Sequence, residues 1–269
     1  VMSGLKKEKQ VQSSGLTDVG KVRSINQDSF QIISDFGNQG VFIVADGMGG
    51  HAAGDQASRM AVKVISEIFA NYDFQNENYQ ETNKSMSLEE ALRFALQEAN
   101  ERILLASMGN PQFQGMGTTA IVAVPDNEYL FMGHIGDSRA YLIRNAQIKQ
   151  ITEDHSVVQQ LVRAGAISEQ EAQVHPYKNV ITRCLGMQPN IEPDTLKLTL
   201  EADDRILICS DGLSNMVNPE QILAIVLESE NLDVVCQKLI DTANEKGGTD
   251  NITAVLLFNR NSQKPSGSK

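Results

Sequence analysis

The sequence predicts an α+β sandwich, because its strand-like runs are grouped apart from its helical stripes and neighbouring runs are joined by connections too short for helical crossovers. Residues 41–45 form a continuous apolar, largely β-branched run, which suits a strand covered on both faces and stops at Asp46-Gly47. Beyond it Ala57, Met60, Ala61, Val64, Ile65, Ile68 and Phe69 repeat at three-and-four spacing and predict a long amphipathic helix. Ser87 with Glu90 three residues on is a capping box that opens a second helix, with the stripe Leu88, Ala91, Leu92, Ala95, Leu96, Ala99 and Ile103.

Short runs at 119–124, 129–134, 138–143 and 148–151, separated by brief turns, predict an antiparallel meander. Residues 153–193 change character, with two short helical patterns, His175-Pro176 and few apolar positions, and are read as a surface excursion. Strands resume at 195–200 and 205–209. Asn218-Pro219 opens a helix, with asparagine as cap and proline in the first turn. A final helix carries Leu232, Val235, Cys236, Leu239, Ile240 and Ala243, and a last strand covers 252–258. The expected organisation is a polar leader at 1–9, a single domain over 10–259 and a polar tail at 260–269.

A chain of 269 residues with 41% hydrophobic residues can fill one large core, and its net charge of -11 opposes polyanion binding by long-range repulsion. Nucleic acid is thereby disfavoured, and phosphate chemistry would need local cations. Cys184, Cys209 and Cys236 have neither metal-ligand nor disulfide spacing, which suits a reducing compartment, with Cys209 and Cys236 as small core residues. No early segment joins a basic start to an apolar stretch and no apolar run approaches the ~18 residues of a membrane span, so a soluble, cytoplasmic protein is expected; a monomer is expected as well.

Asp46, Asp137, Asp211 and Asp250 sit at the ends of apolar runs or beside glycines. Carboxylates converging at the mouths of buried strands are costly to keep ionised unless cations lie between them. Adjacent glycines leave room for close approach of carbonyls and water, and an all-oxygen donor set selects Mg²⁺ or Mn²⁺ over zinc.

Arg23-Ser24-Ile25-Asn26-Gln27-Asp28, Asp46-Gly47-Met48-Gly49-Gly50-His51, Gly117-Thr118-Thr119, Gly136-Asp137-Ser138-Arg139, Ser210-Asp211-Gly212 and Gly247-Gly248-Thr249-Asp250-Asn251 together resemble the protein phosphatase 2C family, in its bacterial branch. The resemblance runs from about Leu16 to Phe258. It implies a four-layer αββα sandwich, two mainly antiparallel sheets flanked by pairs of antiparallel helices, with residues 153–193 as a flap. It also implies hydrolysis of phosphoserine and phosphothreonine without a covalent intermediate. Asp46 would bridge two Mn²⁺ or Mg²⁺ ions, Asp211 and Asp250 would complete the first, and the Gly47 carbonyl would bind the second. Asp28 would act through water near the second ion, and Asp137 with Asp211 matches a third metal position. A water shared by two ions has its pKa lowered from about 15.7 toward neutrality and can attack phosphorus in line, while the Arg23 fork takes two phosphoryl oxygens. The family's partners would be phosphoproteins and a membrane-anchored bacterial Ser/Thr kinase.

Where many eukaryotic members carry a histidine after the first Asp-Gly, this chain has Met48, so the proton donor to the leaving group falls to metal-bound water or to His51. Each residue also has a plainer reading. Asp46, Asp137 and Asp28 could be turn residues, and Arg23 a solvated surface cation. Arg139 is expected to pair structurally with a nearby acid. Thr118 and Thr119 read as core hydroxyls that steady the aspartates, Asn251 as a residue orienting Asp250, and His134 as a satisfied core histidine. His155 and His175 fall in the excursion, with helix-end or substrate contacts as alternatives to no role. Two other functions fit the motif set: a catalytically silent module that binds phosphoproteins or a kinase, and a two-metal phosphodiesterase, which the acidic charge disfavours.

Overall fold

The computed structural model describes residues 11–36, 39–50, 53–73, 76–79 and 84–260. The leader at 1–9, most of the tail and His51 lie outside them. The chain begins with strands β1 (Val11–Asp18), β2 (Asp28–Phe36) and β3 (Gln39–Met48), followed by helix α1 (Ala53–Ala70). Three two-residue strands, β4 (Tyr72–Asp73), β5 (Asn78–Tyr79) and β6 (Lys84–Ser85), pair with one another before α2 (Leu88–Gly109). Then come β7 (Gly117–Thr118), β8 (Ala120–Asp126), β9 (Tyr129–Ile135), β10 (Arg139–Arg144) and β11 (Gln147–Gln150). Helices α3 (Val157–Arg163) and α4 (Glu169–Val174) lie within the excursion. The chain closes with β12 (Asp194–Thr199), β13 (Arg205–Cys209), α5 (Asp211–Ser214), α6 (Pro219–Leu227), α7 (Leu232–Glu245) and β14 (Ile252–Asn259).

Two antiparallel sheets result, one ordered β1-β14-β13-β10-β11 and the other β12-β9-β8-β3-β2, with β7 joined to the end of β3. Period-two alternation assigns each strand residue to one of two cores. Val41, Ile43 and Ala45 of β3, with Val122 and Val124 of β8, pack under α1 and α2, while Phe42, Val44, Ile121 and Ala123 face the opposite sheet. On the other side Leu207, Cys209, Ala254 and Leu256 pack under α6 and α7, and Ile206, Ile208, Val255 and Leu257 close the space between the sheets. The layers therefore run helix, sheet, sheet, helix. Among the described residues no helix is long and apolar enough to cross a membrane.

The capping signals act as read: Ser87 and Glu90 exchange bonds at the start of α2, and Asn218 caps α6 ahead of Pro219. Strands β1 and β2 escape the hydrophobic reading because both lie at sheet edges and carry mixed polar sequence. The expected continuous meander is corrected: β8 and β9 pair, but β10 pairs with β13 in the opposite sheet. The step between sheets occurs at Gly136, whose φ of +111° and lack of a Cβ permit it; a Cβ there would lie 2.5 Å from the Thr119 side chain.

Ser87→Ala removes the cap of α2 and should lower stability by about 1 kcal/mol. Equilibrium urea unfolding with an unchanged midpoint would contradict that.

Candidate metal centre

Asp28 and Asp46 stand directly opposite each other where β2 pairs with β3. Two like charges facing across a ladder destabilise it, so their placement needs compensation. The backbone of Asp46 is held tightly: its N–H donates to Thr119 Oγ1 (3.0 Å), and its carbonyl accepts from Thr118 Oγ1 (2.9 Å) and Thr119 N (2.9 Å). Gly47 is clasped between backbones, since a Cβ would lie 2.1 Å from the Gly54 carbonyl oxygen and 2.6 Å from that of Gln27.

The opposite sheet supplies the donors that Asp28 lacks in its own. Ser210 Oγ and Thr253 Oγ1 each donate to Asp28 Oδ2 at 2.7 Å. Because the Thr253 proton goes to Asp28, Thr17 must donate to Thr253 (2.8 Å), and Asn26 Nδ2 donates to Thr17 in turn (2.9 Å). A second link across the sheets joins Thr119 Oγ1 and Ser138 Oγ at 2.7 Å.

Asp211 opens the short helix α5 and accepts from Asn215 Nδ2 (3.1 Å). Asp250 accepts from the Asn251 backbone N–H (2.9 Å) and from Arg23 Nη2 (2.8 Å). The Asn251 side chain turns elsewhere, accepting from Gln27 N and donating to the carbonyls of Val19 and Ile25. It thereby anchors the loop that carries Arg23.

The five aspartates sense one another. Burial, then the charge of Asp211, pushes Asp28 up to about 6 despite its hydroxyl donors. Burial and Asp250 raise Asp211 to about 6, and burial with Asp211 and Asp154 raises Asp137 to about 7. Asp46 is driven well above the usual carboxylate range by burial and by Asp28, Asp211, Asp137 and Asp250. Five carboxylates from distant chain segments thus converge on one region, Asp28 and Asp137 buried, Asp46 and Asp211 partly so, and Asp250 at the exposed edge beside Arg23.

Among the described residues no three acidic, His or Cys side chains are drawn tightly enough together to grip an ion as they stand. The region nonetheless fits a hard cation. Its donors are oxygens, and Asp28 Oδ1 is buried with no hydrogen-bond partner. A divalent ion would relieve each of these costs.

Arg139 is gripped by Asp154, through Nε at 3.0 and 3.1 Å and Nη2 at 2.7 Å, in the structural pairing expected of it. His134 corrects an expectation: it is buried, but its Nε2 has no hydrogen-bond partner, and its ring lies 4.6 Å from that of His155. Burial and His155 push it down to about 3, so it stays neutral. The sequence gives no role to Ser210, which it shows only as part of the motif before Asp211, nor to Thr253 and Thr17, because a lone hydroxyl carries no periodic signal. Their only cue was adjacency, Ser210 preceding Asp211.

The sequence pattern of the family described as Protein phosphatase 2C matches residues 21–256. A serine/threonine phosphatase, stp, of Listeria welshimeri is 40% identical over 248 residues, covering 91% of this chain and 94% of its own. The solved serine/threonine phosphatase of S. agalactiae superposes with a TM-score of 0.84 at 35% identity, covering 92% of this chain and 99% of that one. The catalytic domain of the serine threonine protein phosphatase PstP, solved in complex with two manganese ions, superposes with a TM-score of 0.79 at 32% identity, covering 93% and 99%. Architecture, buried carboxylates and sequence similarity agree, and the chain belongs to the protein phosphatase 2C family, in the company of bacterial serine/threonine phosphatases.

Proposed function

We propose that this chain hydrolyses phosphoserine and phosphothreonine in proteins by direct attack of solvent-derived hydroxide, with two Mn²⁺ or Mg²⁺ ions at the aspartate cluster and no phosphoenzyme. The observation that carries this reading is the convergence of Asp28, Asp46, Asp137, Asp211 and Asp250 on one partly buried region edged by Arg23. Asp46, Asp211, Asp250 and the Gly47 carbonyl would hold the pair, with Asp28 beside it and Asp137 with Asp211 at a third position. When bound, such ions supply an ionised nucleophile at neutral pH and neutralise phosphoryl charge. The PstP relative's two manganese ions support the choice of metal.

The protein's own groups do the rest. Arg23 is half exposed, and its bond to Asp250 is the kind of surface ion pair worth about 1 kcal/mol or less, so its guanidinium can turn to two phosphoryl oxygens at little cost. Thr118, Ser210 and Thr253 spend their protons on the Asp46 carbonyl and on Asp28, and the three cysteines are buried, which leaves these groups poorly suited to act as nucleophiles. These contacts support the reading of direct attack by water. The excursion at 153–193 is proposed to tune substrate docking, with phosphoproteins made by a cognate kinase as the targets.

Chelation should abolish turnover of a phosphothreonine peptide and added Mn²⁺ should restore it; purified protein that cleaves neither this peptide nor an aryl phosphate in Mn²⁺ would refute the reading. Asp211→Asn should lose activity with metal affinity, whereas Asp137→Ala should still titrate two ions calorimetrically. Emptied paired sites in Asp137→Ala would contradict the assignment.

The raised carboxylates also set the sign of a pH effect. Unfolded aspartates titrate near 3.8, while Asp28 and Asp211 reach about 6 and Asp137 about 7 in the fold. Between those values the folded state binds more protons than the unfolded one, so metal-free stability falls as pH rises through this range. In chelator the protein should melt higher at about pH 5 than at about pH 8, and Mn²⁺ should raise melting mainly at the higher pH. Calorimetric scans with no such crossover would count against it.

A further inference from the structure

Asp137 occupies a turn that is clamped on both sides by two consecutive residues of the excursion. On its far side Asp154 grips Arg139. On its near side His155 holds both polar groups of Gly136: the His155 N–H donates to the Gly136 carbonyl (2.9 Å), and the Gly136 N–H donates to His155 Nδ1 (3.0 Å). With Nδ1 acting as acceptor, the neutral ring carries its proton on Nε2, which faces Asp194 Oδ2 at 3.2 Å. Asp194 is itself held by Arg183 Nη1 at 2.8 Å.

We propose that His155 and Asp194 form a positioning pair for Asp137, in which Asp194 selects the Nε2–H tautomer and His155 Nδ1 then fixes the Gly136-Asp137 turn against the metal centre. The inference rests on the reading of Asp137 as a functional carboxylate. Its logic is that of ligand-orienting partners, where a hydrogen bond one step removed holds the ligand in register. Gly136 needs such a hold, because its φ of +111° lies where a chain crosses between sheets and no ladder bond is available on both sides. Loss of Asp194 would release the tautomer; with the proton on Nδ1, two donors would then face each other at Gly136.

The test compares His155→Gln with His155→Asn on a phosphothreonine peptide in saturating Mn²⁺, alone and combined with Asp137→Ala, with melting temperatures as the check on folding. Asparagine can keep an acceptor near the Nδ1 position, whereas glutamine places its amide near Nε2 and leaves the Gly136 N–H unpaired. His155→Gln should lower kcat by about 10- to 100-fold with KM little changed, and His155→Asn should recover most of that loss. Added to Asp137→Ala, His155→Gln should cost nothing further. Equal losses in the two His155 variants, or a full His155→Gln loss on top of Asp137→Ala, would overturn the proposal. Asp137→Ala with wild-type turnover refutes the underlying reading and the pair with it. A slow Asp137→Ala with an independent His155 effect removes the pair alone. Should His155→Gln not fold, Asp194→Ala carries the test, since that side chain is half exposed. Nitrogen NMR shifts should move from the Nε2–H tautomer as kcat falls; an unchanged tautomer and unchanged kcat would overturn the proposal.

Discussion

Mutual repulsion among buried carboxylates is the constraint around which this molecule is arranged. Asp46 has four acidic neighbours and too little water to screen them, so its ionised form is costly in the bare fold. Hydroxyls from the opposite sheet offset part of that cost at Asp28, and Arg23 does so at Asp250. On the proposed reading the remainder would favour divalent cations, because the same packing that disfavours free charge would reward a compact counter-charge. On that reading stability and metal binding would be linked quantities in this fold.

The sandwich architecture makes this arrangement possible. Two sheets packed face to face bring the ends of β2 and β3 close to the ends of β13 and β14, so Asp28 of one sheet reaches Ser210 and Thr253 of the other. Rigid ladders on both sides hold these groups with little freedom to relax away from one another. Helices α1 and α2 on one face and α6 and α7 on the other seal the remaining apolar surfaces. The acidic region lies at a seam where polar groups can be reached, and Arg23 on a loop tied down by Asn251 supplies a cation at its edge.

Much of the fold was legible because burial imposes periodicity. Residues 41–45 read as a doubly covered strand, the stripes of α1, α2 and α7 read as helices, and Ser87 with Glu90 marked the start of α2 to the residue. Strands β1 and β2 did not stand out, since edge strands bury too little to enforce alternation. The continuous meander breaks at Gly136, because a short connection does not distinguish a hairpin from a crossing, and a glycine free to adopt positive φ can as readily carry the chain into the facing sheet.

The amino-acid sequence alone singled out Asp28, Asp46, Asp137, Asp211 and Asp250 as the carboxylates to propose for a hard cation, because donor chemistry is a property of residue type and the ordered motifs are local. It also settled the period of each long element. Only the tertiary structure decided how charge is balanced: that Ser210, Thr253 and Thr17 serve Asp28, that Asn251 holds the Arg23 loop, and that His155 clasps Gly136. Each of these is a hydrogen bond between residues far apart in the chain or across two sheets. Such bonds depend on the distance between folded surfaces, which no local pattern of hydrophobicity or turn preference encodes.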